Sequence, residues 1–177
     1  MSGGKVIVRA LPAGEAEARV NDLADILLDC VVGGASVSFM ADLDRAKAQA
    51  FWRVVADGAA RGDRILLVAE RDDGSLVGTV QVVWATPDNQ PHRGDVAKML
   101  VHRRGRKQGV GAMLLRAAEE EARKAGRTLL VLDTVTGGDA ERLYARCGWT
   151  AVGSIPDYAL FPDGLLCATT VFYKKVG

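Results

Sequence analysis

The residues with the most chemical content lie between Val96 and Leu115, VAKMLVHRRGRKQGVGAMLL. A β-prone run ends there, four Arg/Lys fall between Arg103 and Lys107, and Gly109-Val110-Gly111 opens a helix. Glycines at a helix start let main-chain N–H groups converge on an anion, and the helix dipole adds about half a positive charge at that end. Arg104, Arg106 and Lys107 stand ready to add charge-assisted bonds to phosphate oxygens. The chemistry implied is the gripping of a diphosphate. Three other uses of the same residues stay open at this point: a solvated basic turn, a dinucleotide fingerprint and a nucleic-acid patch. Gly109 and Gly111 fit a G-x-G start, but Leu114 stands where the third glycine belongs, although Asp133 follows at about the expected twenty residues. Interleaved aromatics, which a nucleic-acid patch wants, are missing, and no Gly-Lys-Ser/Thr follows to make a P-loop.

Elsewhere the reactive inventory is thin. The three cysteines, Cys30, Cys147 and Cys167, have neither zinc-like nor redox-like spacing and read as buried thiols of a reducing compartment. The two histidines, His92 and His102, sit in a polar, Arg-rich stretch, so a His-based triad or metal site is hard to build and no metal is expected. A net charge of +1 gives no global attraction to nucleic acid or to an anionic membrane. With 177 residues, 49% of them apolar and 25% charged, the chain reads as one ordinary domain over 1–177, cored without metals or disulfides. The opening MSGGKVIVRA lacks a leader's apolar run, and no stretch approaches the roughly 20 apolar residues of a membrane span. A cytoplasmic chain is expected.

The elements that must position these residues follow from periodicity. Val6 to Arg9 predicts a strand. Apolar residues at Val20, Leu23, Leu27 and Val31 predict one helix over 13–31, stopped by Gly33-Gly34. A linker, GGASVSFMAD, leads to a second helix over 43–60 that buries Phe51, Trp52 and Val55. Runs at 65–69 and 76–84, joined by Arg-Asp-Asp-Gly-Ser, read as a hairpin. Then come a strand over 95–101, the basic turn, and a helix to Ala125 capped by Gly126. A strand follows over 128–134, whose Leu129 to Leu132 reads as buried on both faces. A short helix over 139–146, strands over 149–154 and 169–174, and an intervening loop IPDYALFPDG complete the chain. The sum is a mixed sheet flanked by helices, with 95–134 as one crossover unit.

On these residues the chain resembles the GNAT-type N-acetyltransferases. Arg106-x-x-Gly109-x-Gly111 matches that family's signature for the acetyl-coenzyme A pyrophosphate. A second match, Ala140-x-x-Leu143-Tyr144-x-x-x-Gly148-Trp149, looks like its helix carrying a Tyr and ending at Gly-aromatic. The linker at 33–43, the strand end LDT at 132–134 and the tail PDG…T-x-x-F-Y-K at 162–174 are similar to the tabtoxin-resistance acetyltransferases, which detoxify a small β-lactam antimetabolite. The resemblance implies an α/β (α+β) fold, a mixed, mostly antiparallel sheet with a splayed strand pair and about four flanking helices. It implies acetyl-coenzyme A as cosubstrate, with the pantetheine arm along Met99, Leu100 and Val101. The diphosphate then lies on Arg104, Arg106, Lys107, Gln108, Gly109, Val110, Gly111 and Ala112. Gly137 departs from the pattern, standing where many members carry an Asn that contacts the cofactor.

Acetyl transfer needs a placed thioester, a neutral nucleophile, stabilisation of a tetrahedral oxyanion and a proton for the departing thiolate. The resemblance puts a main-chain N–H near Leu100 on the oxyanion, and Tyr144 beside both cofactor and sulfur as the acid; the other reading of Tyr144 is a core aromatic. An alkylamine with a pKa of about 10 needs a base, which is expected to be Asp133, directly or through water, with Asp95 as a second carboxylate that orients acceptor or water. Either acid can equally be a turn or cap residue. The acceptor is expected against Ser36, Ser38, Phe39, Asp157 and Tyr158. Trp52 and Trp84 read rather as core, and Asp42 or Asp44 as a helix cap. The function implied is N-acetylation of a small polar amine, amino acid analogue or antibiotic, tabtoxin-type detoxification included, by a monomer or homodimer. The alternatives are a protein lysine or N-terminal acetyltransferase and a non-catalytic acyl-coenzyme A-binding domain, with a nicotinamide-dependent oxidoreductase behind both.

Overall fold

The computed structural model describes residues 4–177; residues 1–3 of the opening segment, read above as lacking a leader, lie outside them. In chain order the elements are β1 (Val6–Ala10), α1 (Ala13–Ala18), α2 (Val20–Val32), α3 (Arg45–Ala60), β2 (Arg64–Arg71), β3 (Leu76–Trp84) and β4 (Arg93–Val101). After a 3-10 turn at Arg103–Gly105 follow α4 (Val110–Lys124), β5 (Leu129–Val135), α5 (Asp139–Arg146), β6 (Thr150–Leu160) and β7 (Leu166–Lys175). The strands form one seven-stranded sheet in the order β1-β2-β3-β4-β5-β7-β6. Every neighbouring pair is antiparallel except β4 and β5.

That parallel pair is short. It is registered only at Arg93–Leu129, Gly94–Leu130 and Asp95–Val131. Beyond it, β4 runs on to Val101 paired with β3 alone, and β5 runs on to Val135 paired with β7 alone. Gly94 marks the tightest point of the pairing, because a Cβ there would lie 3.0 Å from Val82 and 3.1 Å from Leu130. The sheet is therefore pinched at one end of β4/β5 and open at the other.

Side-chain alternation along the strands fills two separate cores. On one face Leu23, Ile26, Leu27, Trp52 and Val55 of the α1–α3 layer pack on Leu66, Val68, Leu76 and Leu100. On the other, Leu114, Leu115, Tyr144 and Trp149 pack on Leu67, Val80, Val82, Leu130 and Phe172. Full burial of side chains this large contributes roughly 1.5–3 kcal/mol each.

Three sequence expectations change. The helix expected over 13–31 is two helices, because Arg19 turns out of α1 with its N–H shared between Glu15 O and Ala16 O while its guanidinium bonds Asp22 and Glu70. The loop expected around Asp157 is instead the far half of β6, held by pairing Ile155, Ala159 and Leu160 to β7. Pro156 is tolerated there because β6 is an edge strand with a register shift between Ile155 and Ala159. Finally, β5 is not buried on both faces: Leu130 and Leu132 are buried, whereas Leu129 and Val131, within the paired stretch, are only half-buried.

One polar group is set deep in the second core. Glu119 of α4 accepts hydrogen bonds from Trp149 Nε1 at 2.9 Å and from Lys174 Nζ at 2.8 Å, joining α4 to the end of α5 and to β7. Glu119→Ala strands an indole N–H and leaves the Lys174 ammonium with the Cys147 carbonyl, at 2.8 Å, but no counter-charge. We expect a loss of about 3 kcal/mol, read as a lower urea midpoint at unchanged m-value.

Candidate active site where strands β4 and β5 part

The turn after β4 supplies a cluster of unpaired main-chain donors. Helix α4 is entered through Gly109, its N-cap residue, whose φ of +76° is a left-handed value, and the helix has no side-chain cap and no acid in its first turn. Its first N–H groups have no intrahelical partner, so an anion meets them unopposed. A Cβ at Gly109 would touch nothing, and the glycine is there for its φ. Gly111 is there for space: a Cβ would lie 2.8 Å from Leu143 of α5, so the two matched motifs interlock through this contact. Lys107 also holds a positive φ, +60°, in the approach to the helix. Gln108 Nε2 donates to Arg104 O at 2.8 Å and closes the loop on itself. These features fit a diphosphate.

The basic side chains divide. Arg104 and Lys107 are exposed beside the turn. Arg106 donates to Val101 O at 3.1 Å and stands 3.6 Å from Asp29, and Arg103 binds Asp29 through both its main-chain N–H and its Nε. The Asp29 side chain is only 6% exposed, at the end of α2, with His102 at 3.7 Å on its other side. Burial acts to raise this carboxyl, but the Arg103 hydrogen bonds and the His102 and Arg103 charges outweigh it and hold Asp29 below the ordinary Asp range. His102 is pushed down by burial and by Arg104, Arg103 and Arg106, against the pull of Asp29. Sequence reasoning missed Asp29, although an acid inside the apolar run ILLDCVV was the available signal.

Asp133 stands on β5 two residues past the last parallel pair, on the exposed face. The Thr169 hydroxyl lies 2.9 Å from Asp133 Oδ2 and also 2.9 Å from Thr134 O, and its single proton serves one at a time. Asp95 occupies the last paired position and accepts from Arg93 Nη1 at 2.5 Å. Tyr144 is 5% exposed, its ring 6.1 Å from Trp149 and 5.9 Å from Phe172. Burial pushes its phenol well above the ordinary value, and the charges of Asp133 and Cys147 push the same way. The Asp133 charge is thus felt at Tyr144 on one side and at Lys98 of β4 on the other. Met99, Leu100 and Val101 form the end of β4 that β5 no longer accompanies.

The linker between α2 and α3 crosses this opening. Ser38 accepts from Lys98 Nζ at 2.8 Å, Ser36 Oγ donates to Leu160 O at 2.6 Å, and Ala41 N donates to Pro162 O at 3.1 Å. Since β5 and β7 lie between β4 and β6, those bonds stretch the linker over the open ends of the strands. Phe39 packs edge-on to Phe51 at 5.3 Å beneath it. Asp157 and Tyr158 are exposed on the β6 irregularity, Asp157 with a φ of +53°. Trp52 is wholly buried in the core and Trp84 lies under Arg127 at 4.7 Å, toward the pinched end. Asp44 caps α3 by accepting from Lys47 N. Gly137, at φ +79°, donates its N–H to Glu141 of α5, which also accepts from Thr170 at 2.7 Å. Among the described residues no group of acids, histidines and cysteines is arranged to hold a metal, and no helix is long and apolar enough to cross a membrane.

The family model described as acetyltransferase (GNAT) family matches residues 21–149. Among solved structures, the chain is similar to the Salmonella typhimurium acetyltransferase yncA, solved with its cofactor acetyl-CoA: TM-score 0.78 at 20% identity, covering 97% of this chain and 94% of that one. It is similar to a ribosomal-protein-alanine N-acetyltransferase from Brucella melitensis, at TM-score 0.79 and 22% identity over 96% and 99% of the two chains. A phosphinothricin acetyltransferase from Sinorhizobium meliloti, in complex with AcCoA, gives TM-score 0.78 and 13% identity over 97% and 89%. At such identities these likenesses establish the shared fold.

The Asp29 cluster carries a pH signature. A carboxyl depressed in the folded state contributes stability that is complete above its unfolded value, near 3.9, and is lost as pH falls below it. Asp29→Asn should therefore cost about 2 kcal/mol at pH 7. The gap to wild type should narrow progressively as pH falls below that unfolded value, as measured by urea unfolding at neutral pH and across the acid range.

Proposed function

Since this chain belongs to the acetyltransferase (GNAT) family, we propose that it moves the acetyl group of acetyl-coenzyme A onto the amine of a small polar acceptor. The observation that carries this reading is the uncapped α4 N-terminus, opening beside a β4 end that has lost its β5 partner. When bound, acetyl-coenzyme A supplies an activated acetyl thioester. The N–H groups of Gly109, Val110, Gly111 and Ala112 hold its diphosphate, aided by Arg104 and Lys107 and by the loop that Gln108 closes. Arg106 serves mainly to fix the turn, through Val101 and Asp29. The free edge of Met99–Val101 offers main-chain groups to the pantetheine arm in the manner of an added strand.

Proton traffic falls to two side chains. Asp133 takes the proton of the acceptor amine, directly or through a water, with Thr169 steadying its carboxylate. Tyr144, kept protonated by burial, holds a proton at its phenol oxygen for the departing sulfur. Asp95, engaged by Arg93, orients acceptor or water without transferring a proton. Ser36, Ser38 and Phe39 roof the acceptor, and Asp157 and Tyr158 border it from β6.

A small acceptor, such as an amino acid analogue or an antibiotic of the tabtoxin type, is favoured over a protein chain by the bonds that tie the linker to β4 and to the β6–β7 turn. The likeness to a ribosomal-protein-alanine N-acetyltransferase keeps a protein N-terminus as the second acceptor class.

Acetyl-coenzyme A should raise the melting temperature with increasing concentration, by the equivalent of about 2.7 kcal/mol at a hundred times Kd, and NAD should leave it unmoved. Stabilisation by NAD instead removes the proposal. Release of free thiol in the presence of an amine separates an enzyme from a binding domain. Tyr144→Phe should lower kcat by about 10²-fold while melting as wild type does. Asp133→Asn should lower kcat by a similar factor near neutrality, and part of the loss should return toward pH 10 as the acceptor amine becomes neutral unaided. Wild-type turnover in either variant ends that residue's role.

A further inference from the structure

Strand β4 carries one residue more than β3 needs. Between the pairs Gln81–Ala97 and Thr79–Leu100, β3 advances two residues and β4 three, and the extra one falls at Lys98, whose φ is +49°. The bulge turns Lys98 toward the linker and α3. In strict alternation Lys98 would share the face of Val96, which belongs to the α4-side core. Instead its Nζ bonds Ser38 Oγ at 2.8 Å and lies 5.8 Å from the centre of the Phe51 ring. Ser38 is itself held at a φ of +76°. Both partners of this one hydrogen bond thus occupy left-handed backbone conformations that favour glycine, and bulges of this kind re-aim side chains beside active sites.

The environment of that ammonium is unlike that of other paired lysines in the chain. Lys124 and Lys174 meet Glu121 and Glu119 at 2.9 and 2.8 Å. Lys98 has a neutral hydroxyl as its hydrogen-bond partner and uses one of three N–H donors on it. Burial lowers its pKa, and Asp133, acting across the opening, works in the opposite direction.

We propose that Lys98 is the specificity residue for the acceptor, binding a carboxylate on it, so that Lys98 on β4 and Asp133 on β5 together select a zwitterionic amino acid. The inference rests on the acetyltransferase reading above. A purely cationic amine entering between the strands meets Asp133 but is opposed by Lys98. An amino acid matches both, its carboxylate taking the N–H donors that Ser38 leaves and its amino group facing Asp133.

The test compares free amino acids with their own carboxamides as acceptors, at fixed acetyl-coenzyme A, for wild type, Lys98→Met and Lys98→Arg. The amide amine is the less basic of each pair, so intrinsic reactivity favours the carboxamide. The wild type should prefer the free acid by about tenfold or more in kcat/KM. In Lys98→Met that preference should vanish through KM with kcat nearly kept, and Lys98→Arg should retain most of it. A lysine that merely props the linker would instead change both members of every pair alike, and that result overturns the proposal. So does a wild type that acetylates carboxamides as readily as acids. Should Lys98→Met not fold, the wild-type comparison and Lys98→Arg still decide. If acetyl-coenzyme A stabilises the protein and only amines without a carboxylate are acetylated, this inference falls alone; if acetyl-coenzyme A does not bind, the acetyltransferase reading falls with it.

Discussion

The arrangement depends on two strands that stop being partners. β4 and β5 exchange hydrogen bonds over three residue pairs and then separate, each continuing with a different neighbour. A strand edge without a partner carries unsatisfied N–H and C=O groups. Here the edge is sheltered within the sheet, lies under a linker, and ends beside a helix whose first turn is equally short of partners. Two sets of unpaired main-chain groups are thus brought together where one extended, anionic molecule would satisfy both.

The local sequence supports that geometry at a few points. Gly94 allows the closest approach before the strands part, Gly109 takes the left-handed turn into α4, and Gly111 lets α5 approach α4 through Leu143. Asp29 draws the backbone of Arg103 and the side chains of Arg103 and Arg106 against α2, so the turn is held from outside while its inner donors stay free.

Much of this was legible in the chain itself, because strong periodicity and glycine spacing are local signals. The hairpin at Ile65 and Leu76, the basic turn, α4 and α5 fall where apolar spacing and turn residues put them. What escaped depends on contacts distant in sequence. The far half of β6 has Pro156 and exposed side chains, which read as loop, and is a strand through pairing with β7. The break at Arg19 follows from a guanidinium reaching Glu70, fifty-one residues away. The Lys98 bulge exists only in the register with β3, although a lysine between Val96 and Leu100 already contradicts a regular strand. Of the acids named from sequence, Asp133 lies at the opening and Asp95 beside Arg93, a difference set by where the parallel pairing ends.

The sheet keeps its two cores apart, and this divides labour between its faces. Helices α1–α3 with their linker sit over one side, while α4 and α5 with the basic turn are seated on the other. Changes in the first layer can reshape one side of the opening while leaving the core beneath α4 and α5 packed as it is. One stitch between the layers is Asp29, rooted in α2 yet clasping the turn that leads into α4. A rearrangement of the α1–α3 side that keeps this carboxylate in place keeps the anchor of the turn before α4.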